Sequence, residues 1–142
     1  MGKIAGMNAG ESYYALSYYT LTHPGSSFIH QHIVDAYTAQ TADASTKPIS
    51  LVFALAGLYL YIEKNFTGKQ VQQAHMQMAK NKRPWPSISL PAKRGEINVL
   101  NVMAAAPGPE RDALIKDWAA GVWKAFDINR DIIIGIVQEI VK

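Results

Sequence analysis

A chain of 142 residues with 49% hydrophobic and 18% charged residues is long enough to bury a core and too apolar to stay disordered. It has no cysteine, which excludes disulfides, thiolate metal sites and a cysteine nucleophile. The net charge of +3 hides an asymmetry, because Lys64 to Gly95 holds seven Lys or Arg and no acid. That pattern bears on anionic partners rather than on fold.

In chain order, Met1 to Met7 lacks the apolar run of a signal peptide and, at Gly6, the Ser or Thr of a myristoylation signal. Residues 1–10 are expected to be a flexible lead into one helical domain spanning 1–142. Ser12–His23 reads as the first helix, with Tyr14, Tyr18 and Leu21 at helical spacing, stopped by Pro24-Gly25. Each of the pairs Tyr13-Tyr14 and Tyr18-Tyr19 should place one ring in the core and one at the rim. Ser26 or Ser27 can cap a second helix running to about Ala42. Thr46 should cap a third, with Pro48 in its first turn, and the apolar Ile49–Ile62 makes this the central helix. Thr67 starts a fourth, through about Lys80, with Val71, Ala74 and Met78 inward.

Pro84, Pro86 and Pro91 forbid helix across Arg83–Pro91, so the stretch near 83–95 should lie extended on the core, a strand being the minor alternative. Asn98 can cap a short helix to Ala106, closed by Pro107-Gly108-Pro109. A longer helix from Glu110 carries Leu114, Ile115, Trp118, Val122 and Phe126, and the last restarts at Asp127 or Asn129. The fold class is therefore all-α: a compact bundle of about five to seven helices. Neither Ile49–Ile62 nor Ile132–Val141 is long enough to span a bilayer, so a cytoplasmic protein without membrane contact is expected. Ile132-Ile133-Ile134 is apolar on more than one face and could support a homodimer.

The segment His30-Gln31-His32-Ile33-Val34-Asp35-Ala36-Tyr37-Thr38-Ala39-Gln40 resembles a bacterial family known as domain of unknown function 5946. Further matching stretches are Ala56-Gly57-Leu58-Tyr59-Leu60, Trp85-Pro86 followed by Leu90-Pro91, Gly95 before Asn98-Val99, and Trp118 with Trp123. The resemblance covers roughly Tyr13 to Val137 and carries no reaction. Many relatives hold a Cys-x-x-Cys-like element and a third-helix His, where this chain has no Cys and has Ala54 or a neighbour. Both departures count against a shared metal site.

Helical geometry, at about 100° per residue, puts His30, Tyr37 and Gln40 on the apolar face, with Asp35 and His32 on a flanking one. Polar groups so placed need partners, and the favoured reading is a structural hydrogen-bond network. The alternatives are a small-molecule or catalytic pocket of His30, Asp35 and Tyr37, then a metal held by His30 or His32. No metal and no cofactor are expected, since the two His diverge on a helix and no His-Glu-x-x-His, Gly-x-Ser-x-Gly or phosphate-loop motif occurs. Lys80, Lys82, Arg83, Trp85, Lys93 and Arg94 form a candidate anion-binding set for nucleic acid or an acidic protein. Nucleic acid is disfavoured, because no recognised module is present. A binding or structural protein is the leading reading, and a small enzyme the runner-up.

Overall fold

The computed structural model describes residues 8–23 and 28–141. Among the described residues seven α-helices follow one another, with no strand: α1 (Ala9–Thr22), α2 (His30–Thr41), α3 (Pro48–Lys64), α4 (Gly68–Lys80), α5 (Val99–Ala104), α6 (Pro109–Ala125) and α7 (Arg130–Ile140). A 3-10 turn, Asp127–Asn129, leads into α7.

The starts of these helices follow local chemistry. Thr67 and Asn98 cap α4 and α5 as expected, each in a reciprocal capping box, with Gln70 and Asn101. Asn8 and Glu11 do the same for α1, so residues 9 and 10, expected in the flexible lead, are helical. Thr46 does not cap α3. Its hydroxyl accepts from the Asp43 amide inside the preceding turn, and Lys47 takes the cap position before Pro48. The caps expected at Ser26 or Ser27 lie outside the described residues, and α2 begins after Ile29 with no side-chain cap.

Helix α3 is central, packing on α2, α4, α6 and α7. Its interior run Leu51 to Leu60 is buried apart from the half-buried Phe53. Helix α2 is enclosed nearly as fully, by α1, α3, α4 and α6. Trp118 and Phe126 of the second half are fully buried between these layers, each such side chain contributing about 1.5–3 kcal/mol. The tyrosine pairs divide as expected, with Tyr14 and Tyr18 exposed, Tyr19 buried and Tyr13 half-buried.

The proline-rich segment is extended, and Asn129 explains how it stays in place. The Asn129 side chain accepts from the Ser89 amide and donates to the Ser89 carbonyl, so one residue supplies the pairing a strand would have given. Trp85 meets Phe53 edge-on at 5.4 Å, and Arg83 pairs with Glu139 of α7. Gly95, at φ 93°, approaches the Gly121 backbone of α6, where a Cβ would lie 3.2 Å from a carbonyl carbon. Only glycine suits that contact.

Candidate functional site

The polar residues of α2 divide between faces, but not as the helical arc suggested. His32 and Asp35, expected on a flanking face, are the buried pair, at 2% and 3% exposure. His30, Tyr37 and Gln40 are half-buried. The correction has a simple cause: α2 has neighbours on most sides, so its apolar stripe does not mark its only covered face.

Asp35 faces α3 where that helix has no side chain. A Cβ on Gly57 would stand 1.9 Å from Asp35 Oδ2, so the carboxyl occupies the space that glycine leaves. Gln31 donates to Oδ1 at 3.1 Å, and Oδ2 has no partner. Burial raises the Asp35 pKa well above its ordinary value, the Gln31 hydrogen bond opposing only in part. A raised folded pKa means that this acid favours folding most below its unfolded pKa of 3.8, and that the contribution is lost as pH rises toward the folded value. Asp35→Asn should therefore gain stability relative to the parent as pH is raised from about 4 to about 8. Thermal melts of both proteins across that range provide the check, and parallel profiles would show that Asp35 is not held protonated.

His32 stacks flat on Tyr61 of α3, with ring centroids 3.4 Å apart, and its Nδ1 is buried without a partner. Burial, helped by the Lys116 charge, lowers its pKa to about 4, so the ring is neutral near neutral pH. It forms part of the wall of a cleft of about 260 Å³ with Ile29, Tyr61, Asn65, Phe66, Thr67 and Lys116. Although i and i+3 spacing let His32 and Asp35 meet, each has an atom left unpaired.

His30 turns toward α1. The Thr20 hydroxyl donates to the Ser17 carbonyl at 3.0 Å and its oxygen lies 2.9 Å from His30 Nδ1, within hydrogen-bond distance. Tyr37 stacks on Tyr13 at 4.1 Å, nearly parallel. Gln40 is fully employed: its amide donates to the Arg94 and Ile97 carbonyls, and its oxygen accepts from Trp118 Nε1. The three residues therefore hold separate partners rather than one shared network: Gln40 bonds to the 94–97 segment and Trp118, His30 to Thr20, and Tyr37 stacks on Tyr13.

The anion-binding set is similarly divided. Arg94 is turned inward, donating to the Ala39, Gln40 and Ala42 carbonyls at the C-terminal end of α2 and to Pro91, with Phe126 below it. A cation there satisfies orphan carbonyls and suits the helix dipole. Arg83 is held by Glu139 and Asn81, and half-buried Trp85 lies under it. Lys80, Lys82 and Lys93 remain as exposed cations. The sequence did not single out Arg111, which closes α5 by donating to the Met103 and Ala105 carbonyls. No His, Asp or Glu trio among the described residues is grouped to hold a metal.

Two stretches that carry the sequence resemblance meet in space. Tyr37, Gln40 and Thr41 of α2 and Arg94, Gly95, Asn98 and Val99 border one open cleft of about 520 Å³ beside Ala9. The chain matches the family of unknown function DUF5946 over residues 10–127 and belongs to that family. No curated protein and no solved structure matches it. No helix among the described residues is long and apolar enough to cross a membrane.

Proposed function

We propose that this chain is a binding domain that takes a small molecule in the cleft between the C-terminal half of α2 and the 92–100 segment. One observation carries the reading: residues from two separated family-like stretches converge there. The volume of about 520 Å³ lies within the roughly 300–1,000 Å³ usual for ligand sites. The enzyme alternative is weaker because its three groups do not converge. His30 is bonded to Thr20, Asp35 is sealed against Gly57, and Tyr37 lines the cleft without either. Binding through the basic segment is weaker too, since Arg83 and Arg94 already serve internal partners. The lack of cysteine supports a cytoplasmic setting, with the whole chain acting as one domain.

A fragment library screened by amide correlation spectra tests the reading. Hits should shift the signals of Tyr37, Thr41, Asn98 and Leu100. Ala92→Trp, at an exposed position on the cleft border, should abolish those shifts with little change in melting temperature. A screen without hits there, or hits that Ala92→Trp leaves intact, would refute the proposal.

A further inference from the structure

A second cleft, at the first turn of α2, holds a different chemistry. It is bounded by Ile29, His32, Tyr61, Asn65, Phe66, Thr67 and Lys116. We propose that this cleft binds the carboxylate group of a small organic acid whose apolar body rests against Ile29 and Phe66.

Three independent features converge on that chemistry. Lys116 is exposed, and among the described residues no carboxylate pairs with it. Thr67, the N-cap residue of α4, borders the cleft, so the positive end of that helix lies beside it. His32, almost wholly buried, forms part of the wall and has an unpartnered Nδ1. Leaving a buried polar atom unpaired is costly, and a ligand group is one way to satisfy it.

Among the described residues lining the cleft, Lys116 is the one charged side chain, and it favours an anion. A cation would face Lys116, whose charge already works with burial to keep His32 neutral. Burial raises the Tyr61 phenol to about 12, helped by Asp112 and Asp117, so it stays protonated and able to donate. Those two acids bear on the phenol, which directs the carboxylate toward Lys116 and the head of α4. A cleft of about 260 Å³ falls below the usual drug-sized range of roughly 300–1,000 Å³, which favours a compact acid.

Benzoate is the probe. Titrated into the intact chain at neutral pH, it should shift the His32 ring nitrogens and the amides of Ile29, Asn65 and Thr67. It should also raise the His32 pKa, because an adjacent anion favours the protonated ring. Lys116→Gln, at an exposed position, should keep the fold and weaken benzoate by about tenfold or more. Benzamide, isosteric but uncharged, should bind far more weakly. Inorganic phosphate binding more tightly than benzoate, equal binding of benzamide, or Lys116→Gln binding undiminished would overturn the proposal. So would shifts confined to Tyr37 and Asn98, an outcome that leaves the first cleft standing.

Discussion

Gly57→Ala should cost about 3 kcal/mol or more of stability, and adding Asp35→Ala to the same chain should restore most of it. Alanine is the better helix former by about 1 kcal/mol, so on propensity alone the change would stabilise α3. Contact reverses the sign. The new Cβ would lie 1.9 Å from Asp35 Oδ2, 2.7 Å from its Cγ and 3.1 Å from Val71 Cγ1. Asp35 has little room to swing away, because α2 is enclosed and the carboxyl is buried. Helix α3, the most buried element, cannot retreat without opening its contacts with α4, α6 and α7. Truncating Asp35 removes both clashing atoms and a buried acid that carries its own cost. Urea midpoints of the two single variants, the double variant and the parent complete a double-mutant cycle. A Gly57→Ala protein as stable as its parent would mean that α2 and α3 do not approach so closely.

What the sequence made legible follows from how local each signal is. Thr67, Asn98 and Pro48 act within a few residues of themselves, and each sits at a helix start as expected. The apolar run of α3 identified the central helix, because a helix apolar all round has no solvent face. The buried faces of α2 are not legible in its own pattern, because burial there depends on α3 and α6. Gly57 lies in one of the stretches that carry the resemblance, and a glycine inside an apolar helix is the local signal for a close approach. Its partner, Asp35, could be named only in three dimensions. Arg94 illustrates the same limit: counted by charge it belongs to a basic surface, whereas its position uses the charge to close α2. Tyr61 and Lys116, which complete the His32 cleft, carry no motif and come from α3 and α6.

The Gln40 network yields the other large effect. Gln40→Ala should cost about 2–4 kcal/mol, since it strips a partner from two carbonyls and from the indole of fully buried Trp118. Gln40→Glu separates hydrogen bonding from packing, because the side chain keeps its shape. One oxygen of the new carboxyl can still accept from Trp118 Nε1. The other would replace an amide that lies 3.1 Å from the Arg94 carbonyl and 2.8 Å from that of Ile97, where an acceptor faces acceptors. A carboxylate is disfavoured there, so the folded pKa of the introduced acid would exceed its unfolded value, and protonation would supply one donor again. Its contribution should then be fullest below the unfolded pKa, about 4.3, and be lost as pH rises. Gln40→Glu should accordingly be destabilised at neutral pH and recover part of the loss in acid, whereas Gln40→Ala should show no such recovery relative to the parent. Denaturant midpoints followed by tryptophan fluorescence at both pH values measure the contrast. If the Gln40→Glu protein were as stable as its parent at neutral pH, the amide could not be the donor that ties α2 to the 94–97 segment.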